Sequence, residues 1–384
     1  MTFFTSLTRG HKPDWMFLTV VLILVVGGLL MLSSASSDKG KIEHGDAYYF
    51  VTNQLIKGLL PGIIGFLVGF GVYYRRWQGK VATILLLLNL ILLVLVFSPI
   101  GVSANGSHRW ITVGPITFQP SEFLKITFVL YLASLLSSAN MKNMKKGWNT
   151  YGIFLLVSLV VVGLILIEPA TTMAVILVCG GAVMYLLSGA PWRYIALTAL
   201  IGVVAVALLV AITPYRLKRI VPNWNVLAQN FFPSLVVERN DIDSFHLNQS
   251  LIAIGTGQIT GVGFGKSTSK YSVLPEAMGD SIFAVIGEEL GFVGGVLVVG
   301  AYLVLVWRGT AIVLRSDSGF ARLVVIGFVS IVGVQALIHI GANTGLLPLT
   351  GIPLPFISYG GTSLAVTLTM MGIVGNISRY TAGR

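Results

Sequence analysis

The chain has 384 residues, of which 55% are hydrophobic and only 10% charged, and its mean hydropathy is +0.87. A soluble globular domain is about one quarter charged, so this composition excludes one and points to an integral membrane protein. The net charge of +11 does not point to nucleic acid, because it follows the membrane topology set out below.

A helix needs about 20 apolar residues to cross a bilayer. The sequence offers ten such stretches: Trp15–Ser34, Thr52–Tyr73, Val81–Phe97, Glu122–Ser138, Tyr151–Ile167, Thr172–Leu187, Arg193–Ile212, Ser281–Trp307, Leu323–Asn343 and Phe356–Ile377. The first is followed by "SSASSD", which resembles a signal-peptide cleavage site. Its apolar run is longer than the 7–15 residues of a signal core, so it reads as a retained helix. The single cysteine, Cys179, lies inside the sixth stretch and has no partner for a disulfide. The fold expected is all-α, one polytopic domain over residues 1–384 with ten transmembrane helices. One long ordered loop, about 213–279, joins the seventh and eighth.

Threading ten spans with both termini on one side gathers most Lys and Arg there, from Arg9 through Arg76 and Lys146 to Arg384. Only Asp14 and Asp317 accompany them. By the positive-inside rule that side is cytoplasmic. The short basic loops on it, "YYRRWQGK" and "SGAPWRY" among them, contain no Walker motif. The unusual polar residues fall on the other, outer side, where an enzyme must work without nucleotide on a substrate that carries its own activation.

Four outer segments stand out in chain order. "NGSHRWITVGPITFQPSEFLK" (105–125) reads as a loop re-entering the membrane as the fourth span. Its Glu122 and Lys125 are spaced i,i+3 and can pair, either as a structural ion pair or as part of a site. Arg109 beside Trp110 suits an interfacial anchor as well as a ligand contact. "IEPATT" is a tight turn that places Glu168 at the headgroup layer or in a site. The connection from Thr213 to Gly279 supplies Arg216, Lys218, Arg219, Lys266 and Lys270, cations that suit a phosphorylated ligand or anionic headgroups. The prolines of "LPLTGIPLPFISYGGTSL" (347–364) forbid continuous helix. Such backbone survives at membrane depth only when buried or lining a cavity, and Ser358 near the following helix start is placed to meet an anion or to cap.

The eighth span opens "DSIFAVIGEELGFVGG" (280–295), with Asp280, Glu288 and Glu289 in a stretch that should avoid charge. Asp280 falls at the loop–helix junction as a cap or first-turn acid. Glu288 lies about 80° round from it and deeper, and Glu289 on the opposite side. This division favours Asp280 for chemistry and the two glutamates for architecture. Lys125 and Arg109 are their expected partners.

These segments, "HRWITVGPITFQPSEFLK", "HLNQSLIAIGTGQITGVGFGKSTSKYSVLPEA", "DSIFAVIGEELGFVGG" and "GIPLPFISYGGTSL", closely resemble the signatures of the SEDS family, the bacterial shape, elongation, division and sporulation membrane proteins. The resemblance runs from about Trp15 to Arg379. It is nearer the division branch, FtsW, than the elongation branch, RodA. It implies a peptidoglycan glycosyltransferase in the bacterial cytoplasmic membrane that polymerises lipid II on the outer face. The implied partners are a class B penicillin-binding protein and other divisome or elongasome membrane proteins. The family's essential acid falls on Asp280, implied as general base. Arg109, Lys125, Arg216, Lys218, Arg219, Lys266 and Lys270 become candidates for the pyrophosphate, with Glu122 orienting Lys125 and Ser358 nearby. Glu168, Glu288 and Glu289 are expected to be structural. No cofactor or metal site is assigned, although a divalent cation is compatible with the reading. Two places depart from the family pattern: "EPATTM" has Ala170 where Asp is usual, and "MGDSIF" replaces the usual Thr-Asp-Phe. The rival readings are a lipid II flippase, which should show polar residues along a whole path, and a non-catalytic divisome scaffold. A ligase of the O-antigen type is a neighbouring alternative.

Overall fold

The computed structural model describes residues 10–104, 107–114, 116–137, 148–168, 170–189, 192–194, 196–198, 200, 202, 242–271 and 274–381. Six helical segments in it are long and apolar enough to cross a membrane: Trp15–His44, Tyr49–Gly71, Pro120–Ser137, Ile282–Arg315, Gly319–Asn343 and Gly361–Ser378. Shorter apolar helices cover Lys80–Leu95, Tyr151–Ile167 and Thr171–Leu187. The expected span at Arg193–Ile212 lies largely outside the described residues.

Helix α1 (Trp15–His44) begins where Asp14 accepts the Phe17 N–H at 3.0 Å and ends at Gly45, whose φ of 72° is the left-handed cap conformation. It runs ten residues past the expected end at Ser34, through "SSDKGKIEH". Nothing before Gly45 breaks it, and Lys39 and Glu43 are spaced i,i+4 along its surface. The second stretch is α2 (Tyr49–Gln54), a π turn (Leu55–Leu59) and α3 (Leu60–Gly71). Pro61 has no N–H to bond back to Lys57, and the widened turn forms just ahead of it.

After α4 (Lys80–Leu95), the segment expected as a re-entrant loop forms an antiparallel sheet. Its strands are β1 (Gly101–Ala104), β2 (Ser107–Val113) and β3 (Ile116–Phe118), in that order. The fold is therefore mainly α with a small sheet, not all-α. Helices α5 (Pro120–Ser137), α6 (Trp148–Ile167) and α7 (Thr171–Leu187) follow. The described part of the long 213–279 connection also departs from a loop, because Ile242–Thr256 forms helix α8, which packs on α9 (Ile282–Arg315). Helices α10 (Gly319–Asn343) and α11 (Gly361–Ser378) complete the bundle.

Helix α10 sits at the middle, packed against α5, α7 and α9, and α11 lies along α3. Large apolar side chains of α1, α3, α4 and α9, such as Leu22, Leu67, Leu88 and Leu297, face outward, as expected toward lipid. Between helices in lipid, attraction comes from close packing rather than from excluding water. Small residues meet accordingly: a Cβ on Gly69 would stand 2.9 Å from Ile373 N.

The break within α9 carries the site. Gly291 has φ +66° and ψ −163°, so the helix opens there. Its freed backbone pairs with the 258–263 loop: Phe292 N–H donates to Gln258 O at 2.8 Å, Val262 N–H to Glu288 O at 3.0 Å and Gly263 N–H to Glu289 O at 3.0 Å. Main chain replaces main chain, which satisfies polar groups that hydrocarbon would leave orphaned.

Candidate functional site

Asp280 is half-buried at one wall of a small pocket of about 60 Å³, which is also lined by His246, His339, Asn343 and the Leu349–Ile352 backbone stretch. Its place is fixed from the main chain outward. Glu276 takes a left-handed φ of 47°, and its carbonyl accepts the N–H of both Gly279 (2.9 Å) and Ser281 (3.2 Å). Asn343 Nδ2 donates to the Asp280 carbonyl at 2.9 Å, and Ser358 Oγ donates to the Gly279 carbonyl at 2.7 Å. Opposite Asp280 stands Gly351 (φ +61°), where a Cβ would lie 3.3 Å from the Asp280 Oδ2.

The helix-cap expectation for Asp280 is corrected. Ser281 occupies the N-cap position of α9, and no side chain caps there. The Ser281 hydroxyl donates to Pro275 O at 2.8 Å. With that hydrogen engaged, its 2.6 Å contact with His246 Nε2 requires the ring to donate. Asp280 therefore lies one residue before the N-cap, in a loop braced by Glu276, Asn343 and Ser358.

The proline-rich stretch opposite is buried, with Leu354, Phe356, Ile357 and Ser358 all nearly inaccessible. Its carbonyls lack helical donors, and neighbouring helices supply them. Gln335 Nε2 donates to Pro353 O at 2.7 Å, His339 Nδ1 lies 2.7 Å from Ile352 O, and Tyr302 OH donates to Pro355 O. Ser358 Oγ also accepts the Leu354 N–H at 2.8 Å, so this hydroxyl bridges the two loops.

Glu288 and Glu289 are fully buried, as the sequence expects, but their partners differ from those expected. Glu288 accepts from Ser267 Oγ (2.6 Å) and from the N–H of Thr268 (2.9 Å) and Ser269 (3.3 Å). Glu289 pairs with Lys270 at 2.9 Å and accepts from Ser34 Oγ at 2.6 Å. The path of the 257–270 segment along α9 brings Lys270 there, while Lys125 and Arg109 are engaged elsewhere. Lys125 donates to Glu122 (2.7 Å) and to Gln335 Oε1 (2.8 Å) in a pair that solvent does not reach. Through Gln335 it connects to the backbone beside the pocket.

Arg109 Nε donates to the Glu168 carbonyl oxygen at 2.9 Å, which ties β2 to the end of α6. The Glu168 carboxylate turns inward, and neither oxygen has a hydrogen-bond partner at normal geometry. Burial pushes its pKa up to about 7, against the smaller opposing pulls of Ser121 and Arg109. Ala170, at the N-cap position of α7, offers no capping side chain. Lys266 is exposed. Arg216, Lys218 and Arg219 lie outside the described residues.

Three residues of this neighbourhood escaped the reading of the sequence: His246, His339 and Asn343. The last two carried a signal. Gln335, His339 and Asn343 recur every four residues in a mostly apolar helix, and so share one face.

The family described as cell cycle protein, covering FtsW, RodA and SpoVE, matches residues 14–383. Stage V sporulation protein E of Bacillus subtilis is 35% identical over 377 residues, spanning 97% of this chain and 99% of that protein. A probable peptidoglycan glycosyltransferase FtsW of Saccharophagus degradans is 35% identical over 378 residues, 97% of this chain and 94% of its own. Among solved structures, a chain of a peptidoglycan synthase complex that coordinates polymerization and crosslinking matches with TM-score 0.75 at 28% identity, covering 96% of this chain and 98% of that one. The rod shape determining protein RodA of Thermus thermophilus matches with TM-score 0.68 at 28% identity, with coverage of 96% and 98%.

Proposed function

The chain belongs to the SEDS family of FtsW, RodA and SpoVE, on its FtsW side, and from that premise we propose that it is a peptidoglycan glycosyltransferase that polymerises lipid II. In this reading ten spans place both termini in the cytoplasm, and the Asp280 pocket opens on the outer face of the bacterial membrane. A class B penicillin-binding protein crosslinks the product, and one matched chain comes from a complex of that kind of activity.

The reaction joins the 4-hydroxyl of the acceptor's glucosamine to C1 of the donor's muramic acid sugar. The hydroxyl oxygen attacks C1, the C1–O bond to the lipid pyrophosphate breaks, and the pyrophosphate leaves with the electron pair. The hydroxyl proton goes to the Asp280 carboxylate. A positioned base of this kind contributes about 10²–10⁴-fold. The observation that carries the reading is a half-buried carboxylate aimed into a pocket while its own backbone is pinned by Glu276, Asn343 and, through Gly279, Ser358.

Cations on the departing pyrophosphate stabilise its charge. Lys125 and Lys270 are held in buried ion pairs; Arg109, which sits in a segment that carries the family resemblance, is the first candidate for this role, with Lys266, Arg216, Lys218 and Arg219 as further candidates. The test is polymerisation of labelled lipid II by purified protein, with and without a class B penicillin-binding protein whose transpeptidase is blocked. Long glycan strands are expected from wild type and none from Asp280→Asn. Inactivity of both, with translocation of lipid II by proteoliposomes, would replace the polymerase by a flippase.

A further inference from the structure

The pocket beside Asp280 contains two buried polar atoms without partners, and both are hydrogen-bond acceptors. His339 is 1% exposed and Nδ1 meets Ile352 O at 2.7 Å. A carbonyl oxygen only accepts, so Nδ1 carries the hydrogen, and in the neutral ring Nε2 is a bare lone pair. That Nε2 has no hydrogen-bond partner. Asn343, also 1% exposed, donates through Nδ2 to the carbonyls of Asp280 (2.9 Å) and His339 (3.0 Å). Its orientation is thereby set, and Oδ1 is left without a donor. Residues four apart on a helix are neighbours on one face. Two unmet acceptors therefore stand together at the wall that Asp280 shares.

Burying an acceptor without a donor costs about 1–3 kcal/mol. A site that carries two such costs beside a carboxylate is built for a ligand that brings hydrogens. Two chemistries fit lone pairs: hydroxyl groups and cations. Among the described residues, no three of His, Cys, Asp or Glu converge closely enough to hold a metal ion, which favours hydroxyls. A space of about 60 Å³ admits a few waters or one hydroxyl-bearing edge of a sugar.

We propose that His339 and Asn343 form a subsite for the acceptor sugar: His339 Nε2 and Asn343 Oδ1 accept the hydrogens of the hydroxyls flanking the attacking 4-hydroxyl, those on C3 and C6. This rests on the reading of Asp280 as base and deepens it. The two side chains orient the ring so that the 4-hydroxyl is presented to the carboxylate, and they select a glucosamine-like edge over one that lacks those hydroxyls.

The experiment starts with unaltered protein and lipid II whose glucosamine lacks either the 3- or the 6-hydroxyl. Loss of one neutral hydrogen bond should raise KM about three- to tenfold for at least one of the two, with little change in kcat. His339→Leu should raise KM for parent lipid II by a similar factor and no longer distinguish it from the deoxy form. His339→Gln, whose amide can donate to Ile352 O and still accept, should restore most of the preference. Wild type that uses both deoxy substrates as well as the parent would overturn the proposal whether or not the variants fold. So would folded variants that lose thermal stability but keep the wild-type KM. Chelator-sensitive activity that His339→Leu alone escapes would overturn it in favour of a cation. Asp280→Asn that polymerises at the wild-type rate would instead remove the underlying reading, so the two failures are distinguishable.

Discussion

Asp280 and the Glu288–Glu289 pair are eight and nine residues apart at the head of one helix, and the protein treats them in opposite ways. The glutamates are sealed from solvent and met by donors from three other parts of the chain: Ser34 of α1, Lys270, and the Ser267–Ser269 turn. Asp280 is half-buried, its backbone is braced, and it lines a pocket in which His339 Nε2 and Asn343 Oδ1 are left without donors. Buried charge persists only when paired and hydrogen-bonded, so a sealed carboxylate held by such donors is architecture, with Glu289 Oε2 alone left unmet. One set beside the unmet acceptors of His339 and Asn343 stands where a ligand's hydroxyls can be received. In a membrane protein the presence of an acid says little; the sign of its neighbours decides its role.

That contrast can be broken most forcefully at Glu289. Glu289→Gln leaves the Lys270 ammonium, whose side chain is 2% exposed, without its counter-charge. The expected loss is about 3 kcal/mol of stability, read as a lowered unfolding temperature in detergent. Adding Lys270→Met to Glu289→Gln should recover part of it, because a neutral pair replaces the ions. A double variant no better than the single would show that the pair was not coupled.

Glu168 sharpens the contrast as a third kind of acid, buried with only the weak pulls of Ser121 and Arg109 on its carboxylate. Its pKa is raised to about 7 because burial disfavours the anion. The folded protein therefore binds this proton more tightly than the unfolded chain does. The resulting stability is complete below the unfolded value near 4.5 and is lost as pH rises through about 7. Wild type should be more stable at pH 5 than at pH 8 relative to Glu168→Gln. Equal pH dependence in the two proteins would contradict the assignment.

The smallest effect is expected at the neighbouring Ala170. The first turn of α7 has no side-chain cap, and Ala170→Ser supplies a hydroxyl for an unsatisfied N–H. A gain of about 1 kcal/mol follows, with polymerase activity unchanged. A loss of stability would mean that the turn at Glu168–Ala170 does not tolerate even a hydroxyl.

Much of this was legible from hydropathy alone, since apolar run length locates helices whose backbone must satisfy itself in lipid. The ends were less legible: α1 continues through "SSDKGKIEH" because polar residues do not stop a helix and only Gly45 does. The sheet was missed although "HRWITVGPITF" alternates β-branched residues around Gly114, whose φ of +61° makes the turn. The pairing of Lys270 with Glu289 was not legible. It depends on the 257–270 segment docking into the break at Gly291, which spacing does not encode. His339 and Asn343 passed as polar residues in an apolar helix. Their meaning emerges only when the carbonyls of Ile352 and Asp280 are seen to engage their donors and leave their acceptors bare.

The most direct test of the distinction between the two kinds of acid is the rate of lipid II polymerisation per folded molecule in Asp280→Asn and Glu288→Gln, measured side by side with the fraction folded determined independently. The account predicts that Asp280→Asn keeps the wild-type unfolding temperature and loses activity by about 10²-fold or more. Glu288→Gln should unfold at a lower temperature yet polymerise at near the wild-type rate while folded. An Asp280→Asn protein that makes glycan strands, or a stable Glu288→Gln protein that does not, would contradict it.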